Sequence, residues 1–208
     1  MARPDDAHAA ERATDTTDKS IDVRQTDGDA GGEISGRKAD GKGRRWAVVI
    51  GIAGYKNEPL RYADKDARLV AEILVAQAGY EARHVYLLTD GREDFEEIPT
   101  RENILAALKR VADLTRDDDT LMVFFSGHGK SEDGKGYLVS IDGKLVAIAD
   151  IRKTLQSAKA DRKLLVLDAC HSGTTKDAAD AGATAKDLAE AVLPSAQTFL
   201  TLASCRAE

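Results

Sequence analysis

The sequence predicts an α/β domain with a mainly parallel central sheet and helices on both faces. Short apolar runs rich in β-branched residues alternate with segments whose apolar residues recur at helical spacing, and most links between them are short. Such alternation implies right-handed βαβ crossovers, which cover a parallel sheet on both sides. Ligands of these sheets bind at the carboxyl ends of the strands, so we look for the site there.

Length and composition argue against several classes of function. With 208 residues, 42% of them hydrophobic, the chain can bury one core of ordinary size. Its 36 acidic and 30 basic residues give a net charge of −6, without the basic footprint of a nucleic-acid binder. No apolar run approaches the roughly 20 residues of a membrane span, so neither nucleic acid nor a membrane is an expected partner. Two cysteines and the absence of a signal peptide favour the cytoplasm.

The first part of the chain divides into a leader and the start of a folded domain. Residues 1–44 are predicted to be a disordered leader, because Asp, Gly, Thr, Lys and Arg dominate there without an apolar period. The domain is predicted over 45–208. It opens with a buried strand over 46–52, which is followed by a helix over 62–78 that ends before Gly79.

The rest of the chain continues the alternation. The predicted elements are, in order, a strand over 84–88, a helix capped by Thr100, a strand over 120–125, a helix capped by Asp150 and running to about residue 158, and strands over 163–167 and 198–203. Two segments interrupt it and are predicted as loops: 127–136, rich in glycine and charge, and a flexible segment over 174–196. Residues 117–119, three aspartates, are interpreted as a solvated turn.

Two of the predicted strands run into reactive residues. One leads to Ser-Gly-His-Gly at 126–129, and the other to Asp-Ala-Cys-His-Ser-Gly at 168–173. An ionised thiol is a strong nucleophile, and a histidine that titrates near neutral pH can protonate the leaving amine. Cys170 and His128 supply this pair. His171 is a weaker choice of base, because consecutive residues of an extended segment point to opposite sides.

The glycines beside these residues fit the same chemistry. A substrate backbone must approach closely, and free amide groups must face the developing oxyanion, for which the N–H groups of Gly129 and Cys170 are the candidates. Cys205 lies in an apolar strand pattern and is assigned to the core. A nucleotide- or phosphate-binding domain is a remote alternative, because Phe124 stands where a phosphate-binding loop needs its first glycine.

These motifs in this order resemble the caspase-like cysteine peptidases of the peptidase C14 type, and among them the metacaspases and their bacterial homologues. The resemblance covers residues 45–208 and implies the three-layer caspase-like fold, with His128 as acid and base and Cys170 as nucleophile. It also implies an acidic primary pocket built from Asp66, Ser126 and Asp168. Because a buried carboxylate pair is compensated only by a cation, we expect protein substrates with Arg or Lys at P1.

The resemblance further implies regulation and partners. Lys176 and Lys186 in the flexible loop, and Arg44 and Arg45 at the end of the leader, are the expected self-cleavage sites. Family members usually continue with a further helix and strand, so 45–208 would be a large-subunit portion. A small-subunit partner or an activator or inhibitor protein is then expected, in a bacterial stress or antiviral defence pathway.

Two further alternatives stay open. One is a catalytically silent caspase-like module used for protein interaction, against which His128, Cys170, Asp168 and Asp66 argue. The other concerns calcium, which some metacaspases need. No metal site is predicted, but Asp177 matches a calcium-binding aspartate of that family, with Asp133, Asp142 and Asp150 loosely in range.

Overall fold

The computed structural model describes residues 43–171 and 200–204, with Glu96, Cys170, His171 and 200–204 described through their backbone. Nearly all of the predicted leader and the whole predicted loop over 174–196 lie outside the described residues. None of the helices within the described ranges has the length and hydropathy that crossing a lipid bilayer requires.

The described part of the chain forms one seven-stranded sheet with three α-helices. The strands are β1 (Arg45–Gly51), β2 (Val85–Thr89), β3 (Thr120–Glu132), β4 (Lys135–Val139), β5 (Leu145–Ala147), β6 (Arg162–His171) and β7 (Leu200–Ser204), and the helices are α1 (Ala63–Ala76), α2 (Arg101–Leu114) and α3 (Ile148–Ser157). Five strands are parallel in the order β2-β1-β3-β6-β7, while β4 and β5 add antiparallel to the far part of β3. The predicted mainly parallel sheet is confirmed.

Helices cover both faces of the sheet, as predicted. Helix α1 packs its small residues Ala67 and Ala71 against one face, beside Val49 of β1. Helices α2 and α3 cover the other face in a larger core that includes Ile50. Gly51 permits the close approach of α1, because a Cβ atom there would lie 2.4 Å from the Ala67 Cβ.

The two predicted helix caps have different outcomes. Thr100 caps α2, since its Oγ1 accepts a hydrogen bond from the Asn103 N–H at 3.2 Å. The prediction for Asp150 is wrong, because α3 begins at Ile148 with Ala147 as its cap and Asp150 lies in its first turn. The helix starts earlier because its buried stripe already includes Ile148.

The predicted loop over 127–136 is also wrong. Strand β3 continues to Glu132 and turns directly into β4, pairing Glu132 with Lys135. Asp133 (φ 51°) and Gly134 (φ 68°) form the connection, and two left-handed residues are what a tight hairpin with the right-handed twist of its strands requires. The glycine and charge of this segment therefore belong to a hairpin, which extends β3 beyond the end of β1.

Candidate active site

Strands β3 and β6 carry the two predicted motifs to the same edge of the sheet. They pair in parallel from Thr120 to Gly129, beyond the last residue of β1, and this register sets His128 opposite Cys170. Two residues earlier it sets Ser126 opposite Asp168. Because neighbouring strands lie only about 4.8 Å apart, four of the predicted site residues are brought together here.

A hydrogen bond of the His128 ring indicates which of its nitrogens carries the hydrogen in the neutral form. Its Nε2 lies 2.6 Å from the backbone carbonyl oxygen of Glu58. A carbonyl oxygen only accepts, so Nε2 carries the hydrogen and Nδ1 is the unprotonated nitrogen of the neutral ring. Nδ1 is buried and has no hydrogen-bond partner among the described groups. The nitrogen suited to exchange a proton is therefore Nδ1.

Tyr55 fixes the backbone and ring of His128. The buried phenol accepts a hydrogen bond from the His128 N–H at 3.0 Å and donates one to the Val139 carbonyl at 2.9 Å. The two rings lie 4.4 Å apart between centroids. Burial raises the pKa of Tyr55 well above its ordinary value, so the hydroxyl stays protonated and able to donate.

Gly127 makes room for this arrangement. A Cβ atom at residue 127 would lie 2.6 Å from the Tyr55 hydroxyl and 2.7 Å from the Phe125 ring. Both distances are below any normal contact, so a larger residue would displace one of the two rings. The glycine before His128 is thus a packing requirement of the site.

The loop from β1 to α1 holds Glu58 in place. Asp90, directly after β2, accepts hydrogen bonds from the N–H groups of Ala53 (2.9 Å) and Gly54 (2.7 Å). The Leu60 N–H closes the loop onto the Ala53 carbonyl at 2.8 Å. Glu58 adopts a left-handed conformation with φ 55°. The loop is therefore tied down on both sides of the residue whose carbonyl meets His128.

Sequence reasoning missed three contributors to the site. Tyr55, Glu58 and Asp90 act through contacts that bridge 36 to 84 positions of the chain. Asp90 carried a usable signal, since it is a carboxylate at the end of a strand like Asp168. Glu58 carried none, because its contribution is a backbone carbonyl that any residue type has.

The predicted pocket residues differ in burial. Ser126 is buried and Asp168 is partly buried at the sheet edge, whereas Asp66 is exposed on α1. The expectation of a buried carboxylate pair is therefore wrong for Asp66 in the described structure. Gly129 lies in β3 between two partners, Leu138 of β4 and His171 of β6.

Arg44 and Arg45 belong to the folded domain. The Arg44 N–H and guanidinium donate to the Asp119 carboxylate at 2.7 and 3.2 Å, and Arg45 opens β1 and donates to the Ala78 carbonyl. A peptidase needs an extended, accessible segment, so these contacts argue against self-cleavage at either residue. Lys176 and Lys186 lie outside the described residues.

Asp119 corrects the interpretation of residues 117–119 as a solvated turn. Its side chain is 2% exposed and also accepts hydrogen bonds from the Trp46 Nε1–H (3.1 Å) and the Arg116 N–H (2.9 Å). Burial alone would raise the pKa of Asp119, but these hydrogen bonds and the charge of Arg44 outweigh it, and the pKa is lowered. Asp119 is a structural carboxylate that joins β1 to β3.

The described aspartates that lie loosely in range for calcium have other surroundings in the structure. No group of three or more His, Cys, Asp or Glu side chains within 43–171 and 200–204 could hold a metal ion. Asp142 instead accepts hydrogen bonds from the Ser140 hydroxyl (2.6 Å) and the Arg101 N–H (3.1 Å) and pairs with Lys144 at 3.1 Å. Asp133 lies in the hairpin turn and Asp150 in α3, and Asp177 is outside the described residues.

Comparison with known proteins identifies the family. The model of the caspase domain family, peptidase C14, matches residues 44–208. Metacaspase III c of Phaeodactylum tricornutum is 33% identical over 152 residues, which cover 65% of this chain and 44% of the relative. Metacaspase-1 of Saccharomyces cerevisiae is 33% identical over 153 residues, with coverages of 65% and 35%. The chain thus matches less than half the length of these curated relatives.

A solved structure supports the fold. The crystal structure of protein GSU0716 from Geobacter sulfurreducens superimposes with a TM-score of 0.50 at 22% identity, covering 63% of this chain and 52% of that one. At this identity the similarity concerns the architecture alone. Since the family model spans most of the sequence and includes both strands that carry the site, the chain belongs to the caspase domain family of cysteine peptidases.

Proposed function

We propose that the protein is a cysteine endopeptidase that cleaves after Arg or Lys through a His128–Cys170 dyad. The observation that carries the proposal is the buried, unpaired Nδ1 of a histidine whose strand position faces Cys170. The ring is held by the Glu58 carbonyl and by Tyr55, so Nδ1 is left for the thiol. Such an orienting contact is typical of a base that serves a nucleophile.

The proposed reaction proceeds through a thioester. The Cys170 thiol gives its proton to His128 Nδ1, and the thiolate attacks the scissile carbonyl carbon. The N–H groups of Gly129 and Cys170 stabilise the resulting oxyanion. His128 Nδ1–H then protonates the leaving amine as the C–N bond breaks. Water, deprotonated by His128, hydrolyses the thioester and regenerates the thiol. Throughout, the Glu58 carbonyl stabilises the imidazolium through Nε2–H.

The proposed preference for Arg or Lys rests on Asp168 and Ser126. They form a register pair two residues before the dyad, about 6.6 Å away along the strands. A long basic side chain can span that distance from a bound P1 backbone. A carboxylate accepts two parallel hydrogen bonds from a guanidinium, so Asp168 would favour Arg, with Lys bound as a point charge. Asp66, being exposed, would act at the rim of this pocket.

Self-processing is proposed at Lys176 and Lys186. Both residues carry a basic side chain of the kind that the pocket favours, and both fall in the segment that connects β6, the strand of Cys170, to β7. Cleavage there would regulate assembly of the pocket in response to a partner protein, and a bacterial stress or antiviral defence role is proposed on the family resemblance. Intact-mass analysis of active wild type and of the double variant Lys176→Gln, Lys186→Gln tests the proposed self-cleavage. The double variant should lose any cleavage found after these residues in the wild type.

A cleavage assay tests the main proposal. Purified protein is given peptides that differ only in P1, as Arg, Lys or Asp. Arg and Lys peptides should be cleaved and the Asp peptide spared, and Cys170→Ala should abolish cleavage. Asp168→Ala should lower kcat/KM for the Arg peptide at least about 100-fold, because a buried cation would lose its charged partner. Asp117→Ala, an exposed aspartate, is the matched control. Equal cleavage after Asp and Arg would refute the specificity, and equal activity of Cys170→Ala would refute the dyad.

A further inference from the structure

A cavity lies beside His128 on the side away from β6. It has a volume of about 480 Å³, within the range of about 300–1,000 Å³ that is typical of ligand pockets. Its lining residues come from the β1–α1 loop, from the end of β4 and from the turn that follows, with His128 at one wall. Gly129 pairs with Leu138 of β4 on one edge of β3 and with His171 of β6 on the other, so the lining residues from β4 and its following turn lie on the side of His128 away from β6.

The proton transfer in the reaction indicates which half of the substrate lies on this side of the dyad. In thiol peptidase chemistry the acyl half becomes bound to the sulfur, while the amine half leaves with a proton from the histidine. The amine half must therefore lie next to the His128 ring, and the acyl half next to Cys170. A cavity walled by His128 and facing away from β6 lies along the amine half.

The walls of the cavity define what it would accept. Tyr55, Val139 and Ile141 provide apolar surface. The charged lining residues balance one another, because Lys56 and Glu58 have opposite signs and the Asp142 carboxylate is paired with Lys144 at 3.1 Å. No net charge is left to favour an ionic side chain. Gly143, at the edge of the cavity, would meet nothing within 4 Å of an added Cβ, so the entrance is open.

We infer that this cavity is the P1′ subsite and that it accepts a large apolar side chain such as Leu or Phe. The inference rests on the proposed peptidase function, since it assumes that His128 protonates the leaving amine. It goes beyond that function by assigning a preference to the residue after the cleaved bond. Ile141 is the specificity-determining residue, because its side chain lines the cavity without taking part in the hydrogen bonds around His128.

Charge placed at residue 141 tests the assignment. Quenched fluorescent peptides share one sequence with Arg at P1 and differ only in P1′, as Leu, Lys or Glu. The full-length wild type should cleave the Leu peptide about tenfold faster in kcat/KM than either charged peptide, the discrimination expected of an apolar pocket. Ile141→Glu should raise the Lys-to-Glu preference ratio at least about fivefold, and Ile141→Lys should lower it by a similar factor.

Matched variants and an inhibitor separate the outcomes. Leu69→Glu and Leu69→Lys introduce the same charges on the exposed face of α1 and should leave the ratio unchanged. Should Ile141→Glu fold poorly, Lys56→Glu at the exposed rim also makes the cavity more negative, by two charges instead of one, and should shift the ratio in the same direction. A peptidyl-arginine aldehyde contains no P1′ residue, so its inhibition constant should be the same for wild type and for the residue 141 variants.

Two results would overturn the inference, and they have different consequences for the peptidase proposal. If the aldehyde inhibits normally but the Lys-to-Glu ratio stays constant in the residue 141 and residue 56 variants, the cavity is not the P1′ subsite and the peptidase proposal stands. If the aldehyde does not inhibit and no peptide is cleaved, the peptidase proposal fails and the subsite assignment fails with it.

Discussion

Replacing Tyr55 with phenylalanine removes one oxygen atom that joins two parts of the site. That oxygen accepts from the buried His128 N–H and donates to the Val139 carbonyl. The aromatic ring stays, so its contact with the imidazole is retained. The variant therefore isolates the hydrogen bonds from the packing.

The expected magnitude follows from the group left without a partner. A buried N–H that loses its acceptor costs about 1–3 kcal/mol, so the free energy of unfolding should fall by about 2 kcal/mol. The same loss frees the β3 backbone at His128, and a misplaced imidazole transfers protons less efficiently. We expect kcat to fall about tenfold, which corresponds to about 1.4 kcal/mol, with little change in KM because Tyr55 does not hold the P1 side chain.

Two measurements check this prediction. Urea unfolding followed by fluorescence of Trp46, the single tryptophan, gives the loss of stability. Steady-state kinetics with an Arg peptide across pH gives kcat and its pH profile. Tyr137→Phe, in the neighbouring strand β4, is the matched control and should change neither. If Tyr55→Phe lowers stability but leaves kcat and its pH profile as in Tyr137→Phe, Tyr55 only supports the fold and its positioning role is refuted.

Three other predictions concern contacts around this site and its framework. Gly127→Ala places a Cβ 2.6 Å from the Tyr55 hydroxyl, so kcat should fall at least as far as in Tyr55→Phe; full activity would contradict the packing argument. Asp119→Asn should cost about 3 kcal/mol at pH 7. Burial of Asp119 is outweighed by hydrogen bonds that lower its pKa below 3.8, so the stabilisation by this carboxylate is complete above pH 3.8 and is lost as the pH falls through the pKa of the folded state. In the acid range, the free energy of unfolding of Asp119→Asn should therefore change less with pH than that of Asp117→Asn. Thr100→Ala should cost about 1 kcal/mol in the same assay, as loss of a helix cap does.

The elements whose apolar residues follow one clear pattern were predictable from the sequence. Strand β1 is buried on both faces, and its continuous apolar run identified it within one residue of its observed bounds. Helix α2 carried both a cap and a buried stripe, so its start at Arg101 follows from local chemistry. In these elements local preference and tertiary packing favour the same structure.

The extension of β3 beyond Phe125 was not predictable from the spacing of apolar residues. Beyond Phe125 the residues are Ser, Gly, His, Gly and Lys, which have little strand preference of their own, and pairing with β6 and β4 keeps them extended. The Asp133-Gly134 turn was a recognisable hairpin signal. The hairpin was still missed, because glycine and the residues of the site interrupt the apolar alternation that normally flanks such a turn.

The proposed catalytic pair was predictable as residue types, but the means of orienting His128 was not. A motif search finds side chains, whereas the partner of His128 Nε2 is the main-chain oxygen of Glu58. What the site needs at residue 58 is a conformation: φ is 55° in a residue other than glycine, which costs roughly 1–2 kcal/mol. A strained conformation of this kind persists only where several contacts hold the backbone in place. Here the hydrogen bonds of Asp90 and the Leu60–Ala53 hydrogen bond hold the loop. Residue 58 is therefore restricted by its backbone conformation, which excludes proline and disfavours β-branched residues, and not by the chemistry of its side chain, so sequence comparison should find a conserved carboxylate at Asp90 rather than at Glu58.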